Sequence, residues 1–313
     1  MRYRTLGRSG LQVSEIALGG WLNLGGWLSE KDSIFLIHQA FAAGVNLFDV
    51  ADVYADGACE VVLGKALKAL PREQIVLATK CRYRMWPGPA GEGLSKKHII
   101  QACEDSLRRL QVDHIDLYQA HHPDADTPIE ETMAAFDLLV RQGKVLYLGS
   151  SNFSGKEITA ANKAAKDLGG SAFKSNQPQY NMLHREAEQE LFPACKKLGV
   201  GNIVYSPLAH GVLSGKYKSL DGITEGRLAH WQPENNFLTE ENLAKVEQLN
   251  TLAGEYGMTC AQLALRWCLR RPEVAAVIVG ASKPNQLDEN TAAGNMALTG
   301  EQLQAIEAVI SPA

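Results

Sequence analysis

Residues 45–54 read VNLFDVADVY, a stretch that begins apolar and ends polar. Its first half favours β structure and predicts a buried strand that ends at Asp49. A helix-like segment ending at Gly44 precedes this strand, and another follows from Glu60. Asp49 therefore lies at the carboxyl end of a strand in a βα unit, where α/β proteins concentrate their chemistry. Tyr54 follows on the loop, within reach of that strand end, so an acid and a phenol form two parts of a proton-transfer site.

The alternation of strand and helix continues along the whole sequence. An N-terminal hairpin is predicted around the glycine-rich turn at 7–10, and a last amphipathic helix at 300–310. Eight strands are predicted between them, at 15–19, 46–49, 75–80, 115–121, 145–150, 173–177, 201–205 and 275–279. No linker-like break divides the chain, so we expect one domain over residues 1–313. Its predicted fold class is α/β, a (β/α)8 TIM barrel with an N-terminal β-hairpin and a C-terminal extra helix.

A doubly wound sheet is the alternative architecture. It would normally carry G-x-G-x-x-G after an early strand, and the sequence has no such motif. Residues 88–93 read GPAGEG, with the glycines in the wrong order, and residues 211–217 read GVLSGKY, which is one residue too short for a P-loop. The barrel is therefore preferred.

Composition excludes several classes of function. A formal net charge of -4 argues against a nucleic-acid partner, because such binding needs a basic face. No long apolar run is present, so no membrane insertion is expected. The first residues, MRYRTLG, lack the apolar core of a secretory signal, and the six cysteines form no C-x-x-C pair. We therefore expect a cytoplasmic protein with reduced thiols and no bound metal.

Polar residues end several of the predicted strands, and in a barrel these ends converge on one mouth. Lys80 taken alone would be read as a solvent-exposed lysine, but Asp49 at the end of the neighbouring strand makes a buried ion pair the preferred interpretation. His121 and His122 compete for the end of the next strand, and His121 is preferred from its place in the motif given below. The remaining strand-end candidates are Ser151, Asn152, Gln177 and Tyr205.

Tyr54, Lys80, Asp49 and His121 together indicate carbonyl chemistry. A tyrosine has an ordinary pKa of about 10. We expect the Lys80 ammonium to lower the pKa of Tyr54, and Asp49 to hold the lysine in place. The phenol would then protonate a reduced carbonyl oxygen that a histidine orients. These residues supply no electrons, so a hydride donor must bind beside them.

Seven stretches carry a likeness to a known family. They are FDVADVY at 48–54, ATK at 78–80, DLYQAH at 116–121, GSSNF at 149–153, NQ at 176–177, YSPL at 205–208 and GASKPNQLDEN at 280–290. In this order and spacing the sequence resembles the aldo-keto reductases over essentially its whole length, and it is similar to the potassium-channel β-subunit-like and bacterial branch of that family.

The resemblance implies NADPH-dependent reduction of a small-molecule aldehyde or ketone, with NADH as the alternative cofactor. It implies that Tyr54 donates the proton, that Lys80 and Asp49 tune it, and that His121 orients the substrate. Trp21 and Trp86 are candidates for the wall of the substrate pocket beside Tyr54 and His121, although ordinary loop packing explains both equally well.

The resemblance also implies a set of cofactor contacts. Ser151, Asn152 and Gln177 would bind the nicotinamide carboxamide, Tyr205 would stack on its ring, and Lys283 would add charge near a 2′-phosphate. The family often uses arginine for that phosphate, where Gln286 stands here, and Arg227 is expected to compensate from a long loop. The complete set is Gly20, Trp21, Asp49, Ser151, Asn152, Gln177, Tyr205, Ser206, Pro207, Leu208, Lys216, Arg227, Gly280, Ser282, Lys283, Gln286, Glu289 and Asn290.

Two other functions are weighed against carbonyl reduction. One is a regulatory or sensor protein that binds NADP(H) and turns over slowly, as channel β-subunits imply. The complete set of Asp49, Tyr54, Lys80 and His121 argues against it. The other is a barrel hydrolase or lyase with paired carboxylates such as Asp49 and Asp52. The substrate's identity, oligomerisation and association with a channel are left open.

Overall fold

The computed structural model describes residues 1–220, 228 and 237–311. Eight parallel strands close into a barrel, in the order β10-β3-β4-β5-β6-β7-β8-β9. The barrel strands are β3 (Ile16–Gly19), β4 (Leu47–Asp49), β5 (Val76–Cys81), β6 (Ile115–Ala120), β7 (Val145–Ser151), β8 (Phe173–Gln177), β9 (Gly201–Val204) and β10 (Val274–Val279). This confirms the predicted (β/α)8 barrel.

Helices surround the barrel, and side chains cap several of them. The described helices are α1 (Glu30–Ala42), α2 (Ala58–Leu67), α3 (Lys96–Leu110), α4 (Ile129–Arg141), α5 (Gly155–Asp167), α6 (Leu191–Leu198), α7 (Glu240–Glu255), α8 (Cys260–Cys268), α9 (Pro284–Ala292) and α10 (Gly300–Ile310). The side chains of Ser29 and Ser95 accept backbone N–H groups at the starts of α1 and α3. Helix α6 begins at Leu191, after a separate 3-10 turn at residues 186–188.

The predicted hairpin is formed by β1 (Tyr3–Thr5) and β2 (Gln12–Ser14), which pair antiparallel. It lies against the amino-terminal ends of the barrel strands. The Ser14 N–H donates to Asn46 Oδ1 at 2.7 Å, just before β4, and the Arg8 N–H donates to the Gly199 carbonyl at 2.7 Å, just before β9. The hairpin therefore closes the end of the barrel opposite to the carboxyl ends of the strands.

Two apolar cores hold the fold together. The larger fills the space between the barrel and its helices, and the smaller lies inside the barrel and includes Leu47, Leu117, Ile203 and Ile278. Towards the carboxyl ends the barrel interior becomes polar. The buried polar side chains there include Asp49, Lys80, Gln119, Ser175 and Gln177. The apolar half makes a rigid floor, and the polar half is where a site can form.

A buried ion-pair network fastens the closed end. Glu15 accepts from Arg4 Nε at 2.6 Å with one carboxylate oxygen and from Arg266 Nη1 at 2.5 Å with the other. Arg4 also donates to the Leu269 and Val274 carbonyls, at 2.7 and 2.8 Å. The network thereby ties the hairpin to α8 and β10. No described helix has the length and apolar composition of a membrane span.

Glu15→Gln should destabilise the fold strongly, because it removes the charge that compensates two arginines at a buried position. Loss of one member of a buried ion pair costs about 3–5 kcal/mol. Urea unfolding followed by far-UV circular dichroism measures the change. Glu30→Gln is the matched control, since the Glu30–Lys65 pair is exposed and such pairs contribute about 1 kcal/mol or less. Equal effects of the two substitutions would contradict the importance assigned to the network.

Candidate active site

The centre of the site is an ion pair between two buried side chains on adjacent strands. Lys80 Nζ, on β5, lies 2.6 Å from Asp49 Oδ2 at the end of β4 and donates a second hydrogen bond to the Val50 carbonyl at 2.8 Å. Lys80 is fully buried and Asp49 is 3% exposed. The attraction between the two charges, together with the carbonyl, offsets the free energy of removing both from water. The predicted buried pair is therefore formed.

Tyr54 approaches this pair from the loop after β4. Its hydroxyl lies 3.3 Å from Lys80 Nζ, and the ammonium lies 4.9 Å from the centre of the ring. The turn that carries Tyr54 is tight: Ala55 and Asp56 both adopt positive φ, at 49° and 52°. Positive φ is uncommon for residues other than glycine, so the turn is held in a strained backbone conformation that directs the phenol onto the lysine.

The pKa of Tyr54 departs from expectation in sign. Burial raises it to about 12 and Asp49 adds to the rise, although the Lys80 ammonium and its hydrogen bond act in the opposite direction. The prediction that Lys80 would bring the pKa of Tyr54 below its ordinary value is therefore wrong for the protein by itself. The phenol carries its proton at neutral pH, which is the form that a proton donor needs.

His121 follows the end of β6 and faces Tyr54. The two ring centres are 5.6 Å apart in an edge-to-face arrangement. Burial and the Lys80 charge hold the pKa of His121 well below its usual range, so the imidazole is neutral. Its Nδ1 atom is buried and has no hydrogen-bond partner among the described residues. His122, the competing candidate, is exposed, so the preference for His121 agrees with the geometry.

Two buried glutamines hold the other oxygen of Asp49. Gln177 Nε2 donates to Asp49 Oδ1 at 2.8 Å and Gln119 Nε2 donates to the same atom at 3.2 Å. The sequence predicted Gln177 as a cofactor contact and gave Gln119 no role of its own. The available signal was the position of Gln119, two residues before His121 on a predicted buried strand.

Four of the predicted cofactor contacts form one hydrogen-bond network beside this pair: Ser151, Asn152, Gln177 and Tyr205. Asn152 Nδ2 donates to Ser151 Oγ at 3.1 Å and to the His121 carbonyl at 3.2 Å. Tyr205 Oη donates to Asn152 Oδ1 at 2.8 Å. Ser151 Oγ donates to the Gln177 carbonyl at 3.0 Å. The ends of β6, β7, β8 and β9 therefore meet around one polar surface.

The loop after β9 continues from that surface. Ser206 adopts a positive φ of 52°, and its carbonyl accepts from Asn181 Nδ2 at 3.0 Å. Pro207 and Leu208 lead into a 3-10 segment at Ala209–Ser214. The Lys216 ammonium folds back over this segment, since a Cβ on Gly211 would come within 3.0 Å of Lys216 Nζ. Lys216, a predicted cofactor contact, is thereby placed beside the loop.

The remaining predicted cofactor contacts lie just before and along α9. Lys283 is the N-cap residue and its side chain makes no capping hydrogen bond, whereas the Gln286 N–H donates to Asn285 Oδ1 at 3.0 Å. Ser282 donates from its N–H and its hydroxyl to Gln286 Oε1, at 3.0 and 3.1 Å. Gly280 and Lys283 are exposed, Glu289 is partly exposed and Asn290 is buried. Arg227 lies outside the described residues.

The aromatic residues around the barrel mouth contact different side chains from those expected. The Gly20 N–H donates to the Asp49 carbonyl at 2.9 Å. The ring centre of Trp21, the next residue, lies 6.4 Å from that of Tyr54. Trp86 instead stacks on His98, with ring centres 4.8 Å apart. Tyr83, to which the sequence analysis gave no role, lies edge-on to His121, with ring centres 4.9 Å apart. Tyr83 is therefore a site residue that sequence reasoning missed.

Asp52 is a second buried acid close to this site. Its Oδ1 accepts from the Val53 N–H at 2.7 Å, and its Oδ2 has no hydrogen-bond partner in the described part of the chain. Burial, with the nearby Glu60 charge, raises the pKa of Asp52 to about 8. Asp49 pairs with Lys80 while Asp52 does not share that contact, so the geometry gives no support to a paired-carboxylate hydrolase.

The fold and the site define a class of protein: a TIM barrel that places a protonated phenol, a buried lysine–aspartate pair and a neutral histidine together at its mouth. The sequence model described as "Aldo/keto reductase family" matches residues 15–311. The chain therefore belongs to the aldo/keto reductase family.

Three relatives match almost the entire chain. Two bear the name "Probable voltage-gated potassium channel subunit beta": one from Oryza sativa subsp. japonica is 39% identical and one from Arabidopsis thaliana is 40% identical, each covering 99% of this chain and 97% of the relative. A "Putative voltage-gated potassium channel subunit beta" from Schizosaccharomyces pombe (strain 972 / ATCC 24843) is 41% identical, with 99% and 93% covered. The predicted resemblance to this branch is confirmed.

Asp52→Asn should stabilise the protein, and by an amount that depends on pH. The folded state holds a proton on Asp52 up to about pH 8, whereas an unfolded aspartate releases it near pH 4. Stability of the wild type is therefore lost as pH rises between those values, and a neutral asparagine removes that loss. The advantage of the variant should be small near pH 4 and reach several kcal/mol at pH 8.

Urea unfolding at pH 4.5, 6 and 8 measures this difference. Asp56→Asn is the control, because Asp56 is exposed on the same loop. A gap between Asp52→Asn and wild type that stays constant with pH, or narrows as pH rises, would contradict the assignment of a neutral Asp52.

Proposed function

We propose that the protein reduces aldehydes or ketones to alcohols with NADPH, taking the proton from Tyr54. The observation that carries the proposal is the position of the Tyr54 hydroxyl, 3.3 Å from a lysine that is itself paired with Asp49, in a mouth that also contains His121. Membership of the aldo/keto reductase family supports the same reaction class.

The residues present suit a dinucleotide. Ser151, Asn152 and Gln177 offer both donors and acceptors to a carboxamide, and the Tyr205 ring lies beside them. At the far end, the exposed Lys283 cation at the start of α9 suits a phosphate. NADPH, when bound, supplies the hydride that the side chains of the site cannot provide.

The protein's own residues would then manage the carbonyl oxygen and the proton. A neutral His121 can donate one ring N–H to that oxygen and fix its direction. As negative charge develops there, Tyr54 gives up its phenolic proton to the oxygen. The Lys80 ammonium, held by Asp49, stabilises the phenolate that is left, because it lowers the free energy of that charge in a buried site.

The names of the three relatives support a second candidate function. A potassium-channel β-subunit that binds NADP(H) as a sensor would use the same cofactor-binding residues and would reduce its substrate slowly. This candidate and the reductase differ in rate, so the time course of hydride transfer from bound NADPH to a simple aldehyde separates them. If oxidation of the bound NADPH takes many minutes, the result would favour the regulatory subunit.

Tyr54→Phe should lower the rate of carbonyl reduction by about 10²–10⁴-fold, because it removes the general acid and leaves the pocket shape intact. NADPH binding, measured by quenching of tryptophan fluorescence, should change by less than about twofold. Tyr118→Phe is the matched control, since Tyr118 is buried against Phe136. A Tyr54→Phe protein that keeps most of its activity would refute the assignment of the proton donor.

Lys283→Gln should weaken NADPH binding by about tenfold and leave NADH binding within about twofold, because only NADPH carries a 2′-phosphate for the lysine to meet. Fluorescence titration with each cofactor gives the two dissociation constants. Lys197→Gln, an exposed lysine on α6, controls for loss of one positive charge. Equal weakening of both cofactors would place Lys283 away from the 2′-phosphate.

A further inference from the structure

Gln119 is a primary amide buried inside the barrel, in register with Lys80 of the neighbouring strand. It is 0% exposed. Its side chain fits because the neighbouring strand carries Gly149: a Cβ there would come within 3.0 Å of Gln119 Cγ and 2.4 Å of Ser175 Oγ. An amide in such a place costs free energy unless it is hydrogen-bonded, whereas a leucine of similar size would not.

Within the described part of the chain, every side-chain hydrogen bond of Gln119 goes to a residue of the candidate site. Its Nε2 donates to Asp49 Oδ1 at 3.2 Å, and its Oε1 accepts from Gln177 Nε2 at 3.4 Å. A carboxylate that pairs with a lysine only accepts hydrogen bonds, so both glutamines must turn an N–H towards Asp49. The Gln119 amide is therefore oriented by its hydrogen bond to the Asp49 carboxylate.

Two donors on Oδ1 fix the orientation of the Asp49 carboxylate. With Oδ1 held by Gln119 and Gln177, the remaining oxygen points at Lys80 Nζ, 2.6 Å away. Lys80 in turn lies 3.3 Å from the Tyr54 hydroxyl. Rotation of the carboxylate about its Cβ–Cγ bond would move the oxygen that anchors the ammonium, and with it the group that stabilises the phenolate.

The two glutamines are not equivalent. Gln177 ends its strand, next to Ser151 and Asn152, while Gln119 pairs in register with Lys80, one residue below the end of β6. On the proposed function, a bound dinucleotide competes for the Gln177 amide. Gln119 lies deeper along its strand, and in this proposal it keeps its N–H on Asp49.

We propose that Gln119 is a positioning residue for the proton donor: acting through Asp49, it keeps Lys80 beneath Tyr54 when Gln177 engages the cofactor. This inference rests on the proposed reductase function for its catalytic consequence, and on the Asp49–Lys80–Tyr54 geometry for its structural one.

Gln119→Leu and Gln119→Glu test the proposal through the pH dependence of kcat between about pH 5.5 and 9. Leucine fills the space without donating, so kcat should fall about tenfold at every pH, with KM for NADPH within about twofold of wild type. The carboxyl group introduced by Gln119→Glu can donate one O–H to Asp49 while it is protonated, but its ionised form cannot donate and repels Asp49. The Gln119→Glu variant should therefore approach wild-type kcat at low pH and lose it as pH rises.

Ser175→Ala is the matched control. Ser175 is also fully buried in the barrel interior, but its hydroxyl has no hydrogen-bond partner among the described residues and so does not hold Asp49 or Lys80. The proposal is overturned if both Gln119 variants stay within about twofold of wild-type kcat at every pH. It is also overturned if Ser175→Ala loses as much kcat as Gln119→Leu, since that would be a general response to an altered barrel interior.

Crystal structures of the wild type and Gln119→Leu decide the matter even if the wild type shows no hydride transfer, which would refute the proposed function alone. The Asp49 carboxylate should rotate, and the distance from Lys80 Nζ to the Tyr54 hydroxyl should lengthen by about 0.5 Å or more. Superposition of Asp49, Lys80 and Tyr54 within coordinate error would overturn the role of Gln119.

Discussion

The buried ion pair between Lys80 and Asp49 is the constraint on which the candidate site depends. Two charges inside a barrel are tolerated only when each has partners for its remaining hydrogen-bonding capacity. Lys80 has the Val50 carbonyl and the Tyr54 hydroxyl besides Asp49, and Asp49 has the amides of Gln119 and Gln177. The need to supply these hydrogen-bond partners fixes the position of the Tyr54 phenol. It also fixes the positions of the strand ends that carry the partners.

The barrel separates stability from chemistry along its axis. Its amino-terminal half is closed by the hairpin and by the Arg4–Glu15–Arg266 network, and its interior there is apolar. The carboxyl-terminal half carries features that lower stability: the strained turn at Ala55 and Asp56, and the raised pKa of Asp52. A rigid floor allows the mouth to keep such costly features, because the free energy of folding is gained elsewhere.

The sequence predicted the barrel, the order of its strands and the residues at their ends, because βα alternation and strand-end polarity are local patterns. It did not predict the sign of the pKa shift of Tyr54. Burial by atoms from distant segments excludes water from the phenol and raises its pKa, and this effect outweighs the lowering by the nearby Lys80 ammonium. Nor did it find Tyr83, whose contact with His121 depends on how the loop after β5 folds back over the mouth.

In the sequence, the complete set of Asp49, Tyr54, Lys80 and His121 favours a fast reductase over a slow NADP(H)-binding subunit, but the structure weakens that argument. Gln177 belongs both to the predicted cofactor seat and to the hydrogen bonds that hold Asp49, so the two parts form one polar network. A protein that keeps the cofactor-binding residues for regulation would also keep Gln177, and with it a hydrogen bond that holds Asp49 and Lys80 beside Tyr54. The difference between the two functions must then arise in steps that this network does not control, such as substrate entry and product release, which the loops at the mouth govern.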